Sequence, residues 1–598
     1  MKRLIIVLTI LSIAFYSAGA AVIDDTGPTF EGDYLLVINT STDVGTVVNT
    51  GTLPLQANLF SVSAAEADDG SYKLDPNNFL PKVIPTVESF KKDFSAFSAM
   101  SEPVVGDRQE FWTQNMTSTP SFFERFTFTL KYVGGACTIW LQNDNSMQLS
   151  QLQIDDMGEE FDSLADKLSL FGTIYDGDKD GRATILLYDI QDGFGVGGNL
   201  GYIGGFFWGG DLYDDSYEDD YFLGDAYVDE TSYQKGMDII HVDTYPSMGI
   251  NFSTPDIGNA KSTVIHEYQH LLNYSIGAFR LDDDWDRYEN GEVPMPDFNN
   301  YFMPIWLNEG LSMAAEHYAY GTLFDRTEYY NSSYIQKGYS LFDWGDNGEA
   351  LPNYTLSYLF LQYLRTQTKS FPNGGNNFYK LLTESPYRSS PNAVTAVMNE
   401  FYPGITLDEL QINFRIACML QETSGFYGFM GESDFYSAVP KLYTGASVNL
   451  RGGSSIIMEM SAPFIPASNP NLKFIGFTAE ELRLGATWVG VTYNGTNYNQ
   501  INSTLPKSSG SYGLHVHYIN YTNTAFDVMT MVIGKSEGRL KEFDGYLIPI
   551  AAKANISDIF PFTYNQGVDE IQYFNFEGAT AAQGFAGLTP LTAKVSLK

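Results

Sequence analysis

Residues Ser262–Tyr274, STVIHEYQHLLNY, constrain this chain more than any other stretch. Val264, Tyr268 and Leu271 recur at helical spacing, so the segment reads as a helix with one apolar stripe to bury. On that helix His266 and His270 stand at i and i+4 and project from one face, about one turn apart. Two neutral imidazoles so placed can bind one zinc ion. Glu267 is offset by roughly a hundred degrees, beside such an ion rather than on it. There a carboxylate can take a proton from a water that the metal carries. The spacing matches H-E-x-x-H. The competing reading is a helix that carries two histidines by chance, and a third ligand decides between them.

A catalytic zinc usually takes three protein ligands and one water. No third histidine follows closely: Ile276 stands six residues after His270, which points to a carboxylate. Two compete. Glu289 lies 19 residues after His270, a spacing familiar from thermolysin-like and aminopeptidase-like zinc enzymes, but in the acidic stretch RLDDDWDRYENGE, which ends in an Asn-Gly turn. Glu309 lies 39 residues after His270, in IWLNEGLSMAAEHYAYG. There Leu311, Ala314, Ala315 and Tyr318 predict a packed helix, with Glu309 and Glu316 on one face. A ligand must be held rigidly, and a helix is a better platform than a turn.

WLNEGLSMAAE resembles the N-E-G helix of gluzincin peptidases. The resemblance implies Glu309 as third ligand and Glu316 as a supporting acid for a zinc-bound histidine. About twenty extra residues precede Glu309, so Ser275–Pro304 reads as an insertion. The order of VGDRQEFWTQN, YVGGACTIWLQND, TILLYDI, GYIGGFFWGGDLY, MDIIHVDTYP, HEYQH and WLNEGLS is similar to that of the hyicolysin-like secreted bacterial neutral metallopeptidases, over roughly residues 106–423. That resemblance implies a zinc endopeptidase. A donor must also face the oxyanion that develops in peptide hydrolysis. Tyr354, in PNYTLSYLFLQYLRTQ, stands where aminopeptidase-like members carry their catalytic Tyr; in a chain with 40 Tyr, ordinary packing is the other reading.

YDGDKDGRA presents Asp176, Asp178 and Asp180 followed by Gly181, the first half of an EF-hand-type calcium loop. Its twelfth position is Leu187 rather than Glu, so calcium ligation and a solvated Asp/Gly turn both stand as readings. The run DLYDDSYEDDYF reads as a solvated loop. Glycines in GYIGGFFWGG mark bulges, or let a peptide approach an edge strand.

The chain has 598 residues, too many for one core. Its net charge of −38 repels nucleic acid and anionic membrane, which rules out a nucleic-acid-binding reading. MKRLIIVLTILSIAFYSAGA reads as a secretory signal: Lys2 and Arg3, an apolar run, then Ala18-Gly19-Ala20 for cleavage. This predicts export to the extracellular space, or to the periplasm or cell surface, with no membrane-spanning segment left in the mature chain. Two cysteines, Cys137 and Cys418, are too few for a disulfide framework and read as buried thiols.

The expected architecture is multidomain. A signal peptide (1–20) precedes a β-rich N-terminal region (21–150), an α+β gluzincin-like zinc peptidase core (151–425) and a C-terminal β-sandwich (426–598). The expected function is a secreted zinc peptidase acting on protein or peptide substrates. The alternatives are a non-catalytic calcium-binding adhesin with a vestigial core, and a zinc hydrolase of a non-peptide substrate.

Overall fold

Strand β1 (Tyr34–Asn39), YLLVIN, has five of its six residues buried. An unbroken apolar run of that length suits a central strand with both faces covered. Alternate side chains serve two cores. Leu35 and Val37 pack with Leu450, Ile456 and Met458, whereas Leu36 and Ile38 pack with Ile416, Leu420 and Phe477. The strand pairs antiparallel on one side with Ser455–Glu459 and on the other with Leu472–Phe477.

This computed structural model describes residues 34–53, scattered positions between 72 and 80, residues 102–460 apart from 213–236 and several shorter stretches, residues 472–477, and the backbone of six strands between 512 and 594. The signal segment and most of DLYDDSYEDDYF lie outside the described residues. The chain divides into two compact units. One comprises Met1–Val62, Ser333–Ser340 and Gln411–Lys598, and the other Ser63–Ser332 and Leu341–Leu410.

That division differs from the expected layout at both ends. The first residues of the presumed 21–150 region join the C-terminal part, because β1 is the middle strand of a sheet whose neighbours come from beyond residue 450. The boundary expected at 425 moves to 410–411, because Ile412, Ile416 and Leu420 put a helical stripe against Leu36 and Ile38.

The second unit is built on a six-stranded mixed sheet. Its strands are β2 (Arg108–Asn115), β3 (Phe122–Val133), β4 (Cys137–Gln142), β5 (Ala183–Tyr188), β6 (Gly205–Phe207) and β7 (Ile239–Asp243), in the order β2-β3-β4-β5-β7-β6. β4, β5 and β7 run parallel, and β6 closes the edge antiparallel to β7. The sheet crosses residue 150, so no domain boundary lies there. β5 and β7 are buried at every residue, as parallel strands covered on both faces must be. Between β4 and β5 runs α1 (Gln151–Leu168), started by a capping box of Ser150 and Gln153.

After β7 comes α2 (Gly258–Glu289), a helix of 32 residues that carries the two histidines. It packs on β6, β7 and α1, with Phe161 edge-on to Tyr268 at 4.8 Å. The expected insertion is thus half helix: Ala278, Leu281 and Trp285 are buried at helical spacing and carry α2 through it. Then follow α3 (Ile305–Tyr320), α4 (Phe324–Tyr329) and α5 (Leu351–Thr368). Gly310 lets α3 approach α5, because a Cβ there would stand 3.0 Å from Leu361 Cγ.

Further along the chain, in the other unit, a four-stranded antiparallel sheet runs through Tyr512–Asn520, Asp527–Lys535, Phe543–Ile550 and Phe560–Tyr564. Glu570–Asn575 pairs separately with Thr589–Lys594. This is the β-structure that the turn-punctuated sequence predicts. Both cysteines are buried, and neither is in a disulfide.

Candidate metal centre

Helix α2 presents His266 and His270, and helix α3, packed against it, presents Glu309. One donor atom from each lies within 4.8 Å of the others. Glu309 Oε2 is 3.0 Å from His266 Nε2 and 3.3 Å from His270 Nε2. Donors held about 2.0–2.1 Å from a tetrahedral ion stand roughly 3.3 Å apart, so the spacing fits a small divalent metal. Two imidazoles and one carboxylate are also a donor set that zinc favours.

Both imidazoles are braced. His266 turns Nδ1 to Glu316 Oε1 at 2.8 Å, and the Ser262 hydroxyl donates to the other Glu316 oxygen. With Nδ1 committed to Glu316, Nε2 is the nitrogen that can offer a lone pair to a metal once its own proton is displaced. His270 Nδ1 is 3.0 Å from Ser312 Oγ, whose hydroxyl donates to the Gln269 side chain. Ser312 was invisible to motif reading; its one signal is its place one turn after Glu309.

Electrostatics follow from three carboxylates around two imidazoles in a buried site. Burial by itself would raise Glu309, but the His270 charge and hydrogen bonds from both imidazoles hold its carboxyl at about 2. Burial would lower His266, yet hydrogen bonds to Glu309 and Glu316 push it up to about 10. Imidazoles that hold protons this firmly beside an ionised Glu309 mark a place where a dication can take the protons' position.

Glu267 is buried beside the three donors, and burial raises its pKa against the opposing pull of His266 and His270. The backbone N–H of Phe207, in β6, donates to its carboxylate. The edge strand comes this close because Gly205 has no side chain: a Cβ there would meet Thr263 Cγ2 at 2.5 Å and the His241 carbonyl at 2.7 Å. One glycine of GYIGGFFWGG therefore serves the approach of helix to strand.

The structure also places the remaining candidates. Glu289 is the last residue of α2 and exposed; 19 residues of helix put it about 28 Å from His270. Tyr354, in the first turn of α5, is buried with its ring centroid 6.1 Å from that of His266. Trp344 meets its ring edge-on at 5.1 Å, and the Arg326 guanidinium lies 5.8 Å over it. His317 points elsewhere, with Nδ1 2.9 Å from the Tyr358 hydroxyl. Side chains of His515 and His517 lie outside the described residues.

No family model matches the chain. It is 32% identical over 370 residues to a protein of Staphylococcus hyicus, the neutral metalloprotease ShpI, an overlap of 61% of this chain and 75% of that one. The chain belongs to the hyicolysin-type neutral metallopeptidases. It is a metal-dependent peptidase.

In this metallopeptidase the residues missed by sequence reading all act through tertiary contact. Ser312 steadies a histidine, the Phe207 amide steadies Glu267, and Arg326 and Trp344 enclose Tyr354. Arg326 carried no motif; its burial in a six-residue helix emerges only in the fold.

Proposed function

We propose that this metallopeptidase is a secreted, zinc-dependent endopeptidase with a gluzincin-like core, in which His266, His270 and Glu309 hold the metal. The observation that carries the reading is the approach of one Glu309 oxygen to both imidazole Nε2 atoms, with Glu267 alongside. Zinc, when bound, supplies Lewis acidity for the scissile carbonyl and acidifies the attacking water.

The chain's own groups do the rest. Glu267 accepts the proton of the attacking water on its carboxylate and delivers it to the nitrogen of the leaving amine. Desolvation favours that role, because a carboxylate with raised pKa is a stronger base. Phe207 N–H fixes the orientation of that carboxylate. Glu316 keeps the His266 tautomer, and Ser312 orients His270. Tyr354 supplies the hydroxyl that stabilises the developing oxyanion, its ring held by Trp344 and Arg326. A peptide is the substrate that such a set of groups accommodates.

Export rests on MKRLIIVLTILSIAFYSAGA, and among the described residues no helix is long and apolar enough to cross a membrane. The C-terminal strands form a β-sandwich that binds substrate or a surface, a reading that rests on their number and antiparallel order.

The test is casein hydrolysis by the wild type and Glu267→Gln, with zinc content measured on both. The variant should keep its zinc and lose about 10²–10⁴-fold in rate. Equal activity of the two proteins, or wild-type protein purified without zinc and indifferent to its addition, would refute the reading.

A further inference from the structure

The loop before β5 and the residue before β7 meet at the same end of the sheet. Ile239 of β7 stands opposite Thr184 of β5, and the Thr184 N–H donates to the Asp238 carbonyl at 3.0 Å. Asp238 is therefore level with Ala183, the residue into which the Asp176–Arg182 loop runs. One carboxylate oxygen from each of Asp176, Asp178 and Asp180 lies within 4.8 Å of the others. The loop's backbone accounts for part of their bonding: Asp180 N–H reaches Asp176 Oδ1 at 3.1 Å and Asp178 Oδ1 at 3.3 Å, and Gly181 N–H reaches Asp176 Oδ2 at 3.1 Å.

Asp238 is a different case. It is 0% exposed, and no other residue donates a hydrogen bond to either carboxylate oxygen. An ionised group buried in that way costs several kcal/mol unless something compensates it. Burial and then the charges of Asp178, Asp180 and Asp176 hold its carboxyl well above the usual range, against a small opposing pull from its own N–H. Asp178 is likewise pushed up to about 7, by burial and then by the Asp180 charge. Arg182 offsets part of the charge on Asp180, but its guanidinium is engaged with the carbonyls of Gly134 and Asp180 and faces Glu102.

We propose that Asp176, Asp178, Asp180 and Asp238 form a calcium site that ties the loop before β5 to the start of β7. An EF-hand-type loop takes its last carboxylate from its own twelfth residue. Here that position is Leu187, buried inside β5, and the missing carboxylate comes from the neighbouring strand. Four carboxylates and no nitrogen or sulfur donor make a hard, anionic, all-oxygen set, which selects calcium over transition metals. Backbone carbonyls and water complete its coordination. The cation holds together two of the parallel strands at the centre of the sheet, independently of the peptidase chemistry.

The experiment uses the full chain loaded with zinc and exchanged into EGTA, then titrated with calcium chloride by calorimetry and melted with and without calcium. Wild type should bind calcium and melt at a higher temperature in its presence. Asp238→Asn, which keeps shape and removes the buried charge, should bind at least tenfold more weakly. It should also melt above wild type in EGTA and below it in calcium, a crossing that a purely structural role for Asp238 would not produce. Asp176→Asn, at a half-buried position, should lose binding in the same way and serves if the Asp238 variant does not fold. A wild type that melts alike in calcium and EGTA overturns the proposal, as do variants that keep wild-type calcium affinity.

Discussion

Replacing Glu316 by Gln separates metal holding from chemistry. In the wild type the His266 Nδ1–H lies 2.8 Å from a Glu316 oxygen, both side chains are nearly buried, and Ser262 donates to the other oxygen. A hydrogen bond to a charged group contributes about 1.5–3 kcal/mol, and one between neutral groups about 0.5–1.5. Gln keeps the shape and one acceptor oxygen, so the difference is about 1–1.5 kcal/mol, or about tenfold in zinc affinity. Peptidase activity followed against buffered free zinc should therefore show its midpoint shifted about tenfold upward. The plateau at saturating zinc should stay within about threefold of wild type, because the water, Glu267 and substrate contacts are untouched. Glu316→Ala should shift the midpoint further, by about 10–100-fold. An unchanged midpoint with a plateau lowered a hundredfold would refute the reasoning and put Glu316 in the reaction itself.

The two competing carboxylates give a direct contrast. Glu309→Gln should lose zinc binding by about a hundredfold or more in a chelator competition, whereas Glu289→Gln, at the exposed end of α2, should stay within about twofold of wild type. A pH prediction comes from Asp189, whose carboxyl is pushed up to about 6 by burial and then by the Asp192 charge. A carboxyl whose folded pKa lies above its unfolded value of about 3.9 opposes folding once ionised. The penalty is absent below about pH 4, grows as pH rises to about 6, and stays constant above. Asp189→Asn should accordingly melt above wild type at pH 7 and level with it at pH 4 by scanning calorimetry; the reverse order would contradict the shift.

The features that the sequence alone determined are local. Helical period puts His266 and His270 on one face whatever surrounds them, and it marks Leu311, Ala314 and Ala315 as the buried side of the helix carrying Glu309. Unbroken apolar runs mark β5 and β7 as covered strands, and turn-punctuated strands mark the C-terminal β-structure. The sequence favoured Glu309 over Glu289 on platform and resemblance, and the tertiary structure adds the approach of one Glu309 oxygen to both imidazoles. Both lie at workable distances along the chain, and that approach depends on α2 continuing straight to Glu289 while α3 folds back against it. Only the tertiary structure placed β1, which reads as part of an N-terminal region yet pairs with strands more than four hundred residues away. Asp238 reads as an ordinary residue before a strand, and Ser312 as an ordinary helix position. A period is written in neighbouring residues, because backbone geometry repeats it without outside help. A ligand set or a strand partner is made by packing between distant segments, and one linear sequence leaves many such closures open until the buried surfaces are matched.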